Sequence, residues 1–574
     1  MNNRRDFIKK VSALGLLGSA AHHRILGTPP PADPELTWHA SGNGGIVAGG
    51  PKVSAIAGIN ILEKGGNAVD SAVAMIFNLA ISDYGLFSIG GESPFMCYNA
   101  SDGKVNVFNG MGGAPKDPRA IAWYYKNGIP ELNGPERGGI KSSTTPSTVS
   151  TCLTALERRG TMSFEQIITS ALALLDAGGK TWYSNLATTF RKMIDSERGT
   201  GGNREKKIRA ARDRFYKGDI ADELNDYYIS SGGFLRKADL ESHETRMEEA
   251  VAIQYRGYVV NKCNTWTQGP ALLQALRLLE KFDLKSMGHF SPDYIHATVE
   301  AMKLAFADRD KYYGDPTFTK VPISELLSDK YTSIRWPLIN MKQASKTIRP
   351  GDPYKMKADA GPGQHWPGEH GTTTCVVADK WGNVVATTPS ANPEYGVCES
   401  LGIAHNTRLT SLNIQKDHPN SLHAGKRPRI TLTPTIVLKD GKPVIGMSVS
   451  GGEMQDQVSL QLLLDIIEFD MKPKDAISGP RFKTYHLEDS FNPSPDPKAR
   501  FKNYAGVNVN EIDHLEINPT DQSTIDILTE RGHKVTVTKN SIAMPSMIYI
   551  DQQTGISYAA GQPKARFCAA INTP

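Results

Sequence analysis

Three consecutive threonines, Thr372 to Thr374, follow Gly371 and lead into an apolar run of the sequence. A threonine hydroxyl is a poor nucleophile near neutral pH, but an α-amine on the same residue titrates near neutrality and can accept its proton. Cutting the amide bond before the threonine would release such an amine. Because a loop ending in glycine leads into a rigid strand here, the pattern predicts a cleavage site between Gly371 and Thr372. The alternative is that these threonines only fill a β-strand, where threonine is common.

The segments around these threonines must hold the reactive hydroxyl in place. Residues 345–371 are rich in glycine, proline and charge and carry no periodicity, which predicts a linker. Beyond the linker the sequence predicts two strand pairs, each around a short polar turn. The pairs are Thr372–Ala378 with Val384–Thr388, and Thr431–Leu438 with Val444–Ser450. A helical pattern, DQVSLQLLLDIIEFD, follows the second pair.

Helices are predicted for most of the chain before the linker. Two helices meet at a turn of Gly65 to Asn67, and a β-hairpin turns at Asp102-Gly103. From Pro146 to Arg309 helical patterns dominate, and the stretch DYIHATVEAMKLAFADRDKYY is strongly amphipathic. Helices clustered with antiparallel hairpins indicate a layered α+β protein rather than a parallel α/β sheet.

The composition is that of an ordinary soluble protein. The chain has 574 residues, of which 39% are hydrophobic and 22% charged, so it can bury a large core. Its formal net charge is +5, and residues 1–30 hold five basic residues and one acidic residue, so that without them the charge is +1. This balance does not favour a nucleic acid or a membrane surface as partner, and it favours a small molecule.

The N-terminus predicts an export signal. A twin arginine, Arg4-Arg5, is followed by Phe7, by two lysines and by a short apolar segment. We expect residues 1–30 to be a twin-arginine signal peptide and the mature protein to be periplasmic. The alternative is a basic amphipathic first helix.

No motif for a metal or an organic cofactor is found, so the sequence predicts neither. The six cysteines form no CxxC pair and no zinc spacing, and we interpret them as buried small hydrophobic residues. They are Cys97, Cys152, Cys263, Cys375, Cys398 and Cys568.

Several ordered stretches resemble one enzyme family. Before the linker they include GINILEKGGNAVDSAVA, GGFLRKADLESH and AMKLAFADRDKYYGDP, and after it TTTCVVADKWGNVVATTPSAN, KRPRITLTPTIVLKDGKPV and SGGEMQDQ. On these motifs the chain resembles the gamma-glutamyltransferase (gamma-glutamyltranspeptidase) family of N-terminal-nucleophile hydrolases. The resemblance implies a four-layer αββα sandwich. It also implies self-cleavage into a large subunit, residues 31–371, and a small catalytic subunit, residues 372–574, which form an intertwined heterodimer.

The resemblance also implies roles for residues of the small subunit. Alignment of the turn at residues 379–383 places the nucleophile on Thr372, puts Thr373 in the place of the family's second threonine, and leaves Thr374 where histidine is usual. The backbone N–H groups of Gly451 and Gly452 match the oxyanion hole, although these glycines can also be a simple turn at a strand end.

Two further residues match the family's site. Ser390 matches the hydroxyl that assists the nucleophile, and Asn392 matches an asparagine that lines the pocket. Ordinary turn chemistry is the alternative for both residues.

The residues that recognise a γ-glutamyl group in this family are missing. The segment VFNGMGGAP contains no arginine to clamp the α-carboxylate, Ile430 and Thr431 replace a pair of serines, and Ser411 replaces the aspartate that binds the ammonium. Each lost charge-assisted contact is worth on the order of 1.5–3 kcal/mol. We therefore expect the glutathione-type substrate to be replaced by another amide.

Two arginines, Arg408 and Arg429, lie near these altered positions. One hypothesis is that either of them binds an acidic group of a different acyl donor. The alternative is that both are surface arginines with solvated head groups.

Three functions are compatible with the sequence. The first is a self-cleaving amidohydrolase or acyltransferase that acts through an acyl-enzyme on a non-standard amide, with water or an amine as acceptor. The second is a genuine γ-glutamyl hydrolase or transferase that acts on glutathione-like substrates. The third is an uncleaved binding protein without catalytic activity.

Overall fold

The computed structural model describes residues 37–129, 139–361, 372–391, 396–488, 490, 513–563 and 569–571. The strands are β1 (His39–Gly42), β2 (Ile46–Ala48), β3 (Phe95–Asn99), β4 (Lys104–Phe108), β5 (Met247–Glu249), β6 (Val251–Tyr255), β7 (Tyr258–Lys262), β8 (Cys375–Ala378), β9 (Val384–Thr387), β10 (Val397–Cys398), β11 (Ile403–Ala404), β12 (Thr435–Lys439), β13 (Lys442–Ser450), β14 (Phe482–Thr484), β15 (His514–Ile517), β16 (Lys534–Val537), β17 (Met544–Ile550), β18 (Ser557–Gly561) and β19 (Ala569–Ile571).

The α-helices within these residues surround the strands. They are α1 (Lys52–Glu63), α2 (Ala68–Ser82), α3 (Pro118–Asn127), α4 (Thr148–Arg159), α5 (Phe164–Asp176), α6 (Tyr183–Gly199), α7 (Arg204–Tyr216), α8 (Asp219–Ser230), α9 (Lys237–Glu241), α10 (Gly269–Leu279), α11 (Leu284–Met287), α12 (Pro292–Tyr312), α13 (Ile323–Leu326), α14 (Asp329–Arg335), α15 (Met454–Ile467), α16 (Pro473–Ser478) and α17 (Gln522–Glu530).

Two seven-stranded sheets form the centre of the molecule. The first has the strand order β19-β2-β8-β9-β3-β4-β5, and the second has the order β1-β18-β17-β13-β12-β7-β6. Every strand pairing in both sheets is antiparallel within the described residues. The antiparallel architecture predicted from the hairpin patterns is therefore confirmed.

Side chains that alternate along each strand build three apolar cores. On β8, Val376 packs between the two sheets, whereas Cys375 and Val377 point to the helices that cover the first sheet. Helices α2, α4 and α5 form that outer layer, and α10, α12 and α15 cover the second sheet. The layers therefore follow the order αββα, as the family resemblance implies.

In both sheets, strands from before the linker pair with strands from after it. In the first sheet β2 pairs with β8 and with β19, and in the second sheet β7 pairs with β12. A cut between residues 371 and 372 would leave two pieces that share both sheets. The two pieces would stay together because backbone hydrogen bonds join strands of one piece to strands of the other in both sheets.

The local predictions before the linker are confirmed at two turns. Asn67 caps α2, where its side-chain oxygen accepts hydrogen bonds from the N–H groups of Val69 and Asp70 at 2.9 and 3.0 Å. Gly65 ends the preceding helix with φ +84°, a conformation that favours glycine. The predicted hairpin at Asp102-Gly103 joins β3 to β4.

Other boundaries and one pattern were predicted wrongly. Strand β8 begins at Cys375 rather than Thr372, because its partner β9 runs into Pro389, which has no N–H group to continue the ladder. Strand β12 begins at Thr435 rather than Thr431. The region predicted to be mainly helical also contains the strands β5, β6 and β7.

Helix α12 is buried on all sides rather than amphipathic. Its residues from Tyr294 to Asp310 are all buried, because the charged residues among them have partners inside the protein. Lys303, for example, forms an ion pair with Glu300 at 2.8 Å. The charged residues of this helix were therefore wrongly interpreted as a face exposed to water.

Several sequence predictions fall outside the described residues. These are the export signal in residues 1–30, Cys568, Gly371 and Asn392. The linker is described as far as residue 361, and residues 345–361 contain neither helix nor strand. The other five cysteines are buried and carry free thiols, as predicted. None of the helices described here has the length and hydropathy needed to cross a membrane.

Candidate active site

Thr372 lies fully buried just before β8 and is held at two of its atoms. Its hydroxyl oxygen accepts a hydrogen bond from the side-chain Nε2 of Gln455 at 3.4 Å. Its backbone carbonyl accepts one from the hydroxyl of Ser450, at the end of β13. Both sheets thus fix the first threonine of the run, since β8 belongs to one and β13 to the other.

The other two threonines have different surroundings. The N–H of Thr373 donates to the carbonyl of Pro389 at 3.0 Å, and the buried hydroxyl of Thr373 has no partner in the described part of the chain. The hydroxyl of Thr374 pairs with that of Ser546 at 2.8 Å. Thr374, which stands where the family has histidine, is therefore engaged with the second sheet rather than with Thr372.

Gly451 and Gly452 connect β13 to α15, directly after the serine that contacts Thr372. Their φ angles are +139° and +56°, which only glycine adopts readily. Within the described chain we find no acceptor for either backbone N–H group, while both carbonyls accept bonds from the first turn of the helix. Two free N–H groups at a helix N-terminus, fixed beside a buried hydroxyl, suit the stabilisation of a developing oxyanion.

Gln455 was missed by the sequence analysis. Its side chain is fully buried, and its Oε1 accepts a hydrogen bond from the N–H of Thr433 at 3.3 Å while its Nε2 reaches Thr372. The bond to Thr433 orients the amide, because it leaves the NH₂ group to face the threonine hydroxyl. The only available signal was its position in SGGEMQDQ, three residues after Gly452.

Arg408 is buried, so its interpretation as a surface arginine is wrong. Its guanidinium forms an ion pair with Glu92 and donates a hydrogen bond from Nη2 to the hydroxyl of Ser390 at 2.5 Å. Burial raises the pKa of Glu92 to about 7, against the opposing effect of Arg408. Ser390, the expected helper of the nucleophile, is thus an acceptor for an arginine.

Arg429 is also buried, and its interpretation as a surface residue is equally wrong. Its Nη1 lies 3.3 Å from Oδ1 of Asp310, and its Nη2 donates to the hydroxyl of Ser490 at 3.1 Å. Asp310 also pairs with Arg309, which in turn binds Glu453, the residue after Gly452. This charge network therefore holds the glycine turn against α12.

Ser411 and Thr431 occupy the altered recognition positions, and both are fully buried. Neither hydroxyl has a hydrogen-bond partner among the residues that the structure describes. Asn420 links the two segments, because it donates to the carbonyl of Ser411 at 2.6 Å and accepts from the N–H of Arg429 at 2.8 Å. The structure therefore places two uncharged hydroxyls at these positions, Ser411 where the family has an aspartate and Thr431 where it has a serine.

Two buried acids lie around this site. Burial raises the pKa of Asp456 to about 6, although Lys262 lies 2.9 Å away and opposes the shift. Burial and the charge of Asp310 raise the pKa of Glu488 to about 8. Among the residues described we find no group of three or more His, Cys, Asp or Glu side chains that could hold a metal ion.

Comparison with known proteins identifies the family to which the chain belongs. A family model described as gamma-glutamyltranspeptidase matches residues 54–200 and 179–570. The glutathione hydrolase proenzyme of Bacillus subtilis (strain 168) is 30% identical over 520 residues, covering 83% of this chain and 88% of that protein. The acylase ACY 1 proenzyme of Pseudomonas sp. (strain SE83) is 29% identical over 483 residues, covering 78% of this chain and 83% of that protein.

A solved structure supports the same fold. The crystal structure of cephalosporin acylase from Bacillus halodurans aligns with a TM-score of 0.75 and 25% sequence identity, covering 96% of this chain and 100% of that one. The four-layer sandwich is therefore the architecture of this structural neighbour as well. Both relatives in the sequence comparison are named proenzymes.

The raised pKa of Glu92 predicts a pH-dependent contribution to stability. Between about pH 4.5 and pH 7 the folded protein keeps a proton on Glu92 that the unfolded chain has lost, so stability falls as pH rises through this window. Relative to the variant Glu92→Gln, the wild type should lose on the order of 2–3 kcal/mol of unfolding free energy between pH 5 and pH 7. Urea unfolding at each pH measures the difference.

Glu63→Gln, a change at an exposed carboxylate, is the matched control and should show no such divergence from wild type. Parallel stability curves for wild type and Glu92→Gln would contradict the assignment of a raised pKa to Glu92.

Proposed function

Because this chain belongs to the gamma-glutamyltranspeptidase family and is an enzyme of its hydrolase and acylase class, we propose that it is an amidohydrolase or acyltransferase that cuts itself before Thr372. The Thr372 hydroxyl is then the nucleophile. The observation that carries this proposal is the contact of Thr372 with Ser450 and Gln455, the residues on either side of the glycine turn.

The proposed activation is an intramolecular cleavage. The Thr372 hydroxyl attacks the carbonyl of Gly371, the peptide C–N bond breaks, and an ester to the threonine oxygen replaces it. Water then hydrolyses this ester, which leaves a carboxylate on Gly371 and an α-amine on Thr372. The free amine next to the hydroxyl supplies the base that threonine otherwise lacks.

The proposed acyl transfer uses the same atoms. The α-amine accepts the hydroxyl proton as the oxygen attacks the substrate amide, and the N–H groups of Gly451 and Gly452 donate hydrogen bonds to the oxyanion. The amine then gives the proton to the leaving nitrogen, which departs and leaves an acyl ester on Thr372. Water or an acceptor amine releases the acyl group by the reverse steps.

The substrate we propose is an amide other than a simple γ-glutamyl compound. Two observations support this choice. The position that would bind an ammonium group carries the uncharged Ser411. Arg408 and Arg429, the candidate carboxylate ligands, already pair with Glu92 and Asp310, so neither brings an uncompensated charge to a substrate. The hydroxyls of Ser411 and Thr431 instead offer neutral hydrogen bonds.

The genuine γ-glutamyl enzyme is the second candidate, favoured by the likeness to a glutathione hydrolase proenzyme. We also propose that residues 1–30 direct the protein to the periplasm, because they carry the twin-arginine pattern. The cleaved fragments would form a heterodimer, since strands of one fragment pair with strands of the other in both sheets.

Replacement of the nucleophile should block self-cleavage. The purified variant Thr372→Ala is expected to run as one full-length band on a denaturing gel and to lack activity, whereas the wild type runs as two bands. Thr373→Ala is the matched control, because it removes a neighbouring buried hydroxyl, and it should still split. A normal split in Thr372→Ala, or a block in Thr373→Ala, would move the nucleophile away from Thr372.

Replacement of Gln455 should slow the chemistry more than substrate binding. In Gln455→Met the hydroxyl of Thr372 loses its only side-chain donor within the described residues, so we expect kcat to fall about tenfold or more with KM within about twofold. Steady-state kinetics on the mature enzyme measure both constants. Gln553→Met, at an exposed residue, is the control. An unchanged kcat, or a loss confined to KM, would exclude Gln455 as a positioning residue.

Substrate preference separates the two candidate functions. Glutaryl 4-nitroanilide and γ-glutamyl 4-nitroanilide differ only by the α-amine of the γ-glutamyl compound. This amine would find the uncharged Ser411 where the family has a carboxylate. We expect kcat/KM for the glutaryl compound to be about tenfold or more higher, as for one lost charge-assisted contact. Faster turnover of the γ-glutamyl compound would support the second candidate and contradict the first.

A further inference from the structure

A small polar cavity lies among residues that none of the proposed chemistry uses. Its volume is about 130 Å³. Three basic side chains line it, together with His243, Ser242 and Thr145, and we call it the basic cavity. The three basic residues are Lys116, Arg246 and Arg427.

Arg427 is buried and forms no ion pair within 4.0 Å among the described residues, although the carboxylates of Asp315, Glu248 and Glu244 act on its charge from farther away. It is only 6% exposed, and one of its guanidinium nitrogens, Nη1, has no hydrogen-bond partner among the described residues. Its Nη2 donates to the backbone carbonyl of Glu244 at 2.5 Å. Four other buried arginines each pair with a carboxylate; they are Arg309, Arg335, Arg408 and Arg429. Arg481 is buried as well, and its guanidinium donates to the backbone carbonyls of Ile542 and Ile477.

The other two cations of the cavity are uncompensated as well. In the part of the chain that the structure describes, neither Lys116 nor Arg246 has a carboxylate within 4.0 Å. The ammonium of Lys116 donates to the hydroxyl of Ser242 at 2.7 Å. Three positive charges thus meet at one cavity, and the burial of a guanidinium without a directly paired carboxylate is unfavourable.

The acidic residues at the cavity do not supply the missing charge. Asp239 accepts hydrogen bonds from the backbone N–H groups of Lys116 and Arg236 at 2.9 and 2.8 Å, so its two oxygens are turned to the main chain. Glu244 is exposed, and it contacts Arg427 through its backbone carbonyl rather than its carboxylate.

His243 lines the cavity with an uncharged imidazole. Burial, with the charges of Arg427 and Lys116, lowers the pKa of its imidazole to about 3. Its Nε2 is buried and, within the described ranges of the chain, has no hydrogen-bond partner. A neutral imidazole can donate from this nitrogen, and so can the nearby hydroxyls, which adds uncharged donors to the three cations.

We propose that the basic cavity binds a small oxyanion, either an inorganic ion such as phosphate or sulfate or the carboxylate of a small molecule. The guanidinium groups of Arg427 and Arg246 and the ammonium of Lys116 form its charged contacts. Oxyanions accept several charge-assisted hydrogen bonds at once, which is what this set of donors offers. A bound anion compensates the buried charge of Arg427.

The position of the cavity suggests what such an anion would hold in place. Arg427 precedes Arg429 by two residues and Thr431 by four, so it begins the segment that reaches the candidate active site. The backbone of Lys426 and Ala114 is joined by a hydrogen bond of 2.9 Å, which fixes the segment against the other wall of the cavity. The anion would therefore brace this segment without touching Thr372.

Isothermal titration calorimetry with the full protein tests the proposal. Sodium phosphate, sodium sulfate and sodium acetate are titrated separately at constant ionic strength, set with sodium chloride. We expect saturable binding of one anion per chain in the wild type. The substitutions Lys116→Gln and Arg246→Gln, both at exposed residues, should each weaken the affinity for the anion about tenfold, as for one lost charge-assisted hydrogen bond.

Lys126→Gln, at an exposed lysine outside the cavity, is the matched control and should bind as the wild type does. Phosphate or sulfate binding identifies a tetrahedral oxyanion as the ligand, and binding of acetate alone identifies a carboxylate. The variant Thr372→Ala should also bind, so that failure of the proposed catalysis does not affect this test. No saturable heat with any of the three anions, or equal affinity in wild type and both cavity variants, would overturn the proposal.

Discussion

The attachment of Thr372 to the β13–α15 junction is the constraint on which the site depends. Ser450 holds the threonine carbonyl and Gln455 holds its hydroxyl, while the two glycines between them present their N–H groups. A hydroxyl and an oxyanion site have to be fixed relative to one another before substrate arrives, because catalysis by oriented dipoles depends on preorganisation. Both sheets contribute, so the αββα sandwich acts as the frame of this contact.

Buried ion pairs with residues of α12 support the junction. Glu453 follows the two glycines and binds Arg309 on α12, whose neighbour Asp310 also pairs with Arg429. Removal of one member would leave an uncompensated charge in the interior, which is costly. Arg429, one of the two arginines that the sequence suggested as substrate ligands, is already paired within this network. The charged side chains of this network therefore serve mainly to hold the turn of Gly451 and Gly452. The altered recognition positions, Ser411 and Thr431, carry neutral hydroxyls.

The sequence predicted the layers of the fold but not the side-chain partners around Thr372. Hairpin turns and the cap at Asn67 are local, so residues near in sequence were enough to find them. The burial of α12, Arg408 and Arg429 depends on acids far along the chain, and no local pattern reveals such pairs. Gln455 was missed for the same reason, since its partners Thr372 and Thr433 are defined only by the packing of two sheets.

N-terminal sequencing of purified, active enzyme tests the central claim most directly. The account predicts a small fragment that begins with Thr372 and reads TTTCVVAD, together with a separate large fragment. An active preparation that contains one uncut polypeptide would contradict it, as would a small fragment that starts at Thr373 or at any other residue.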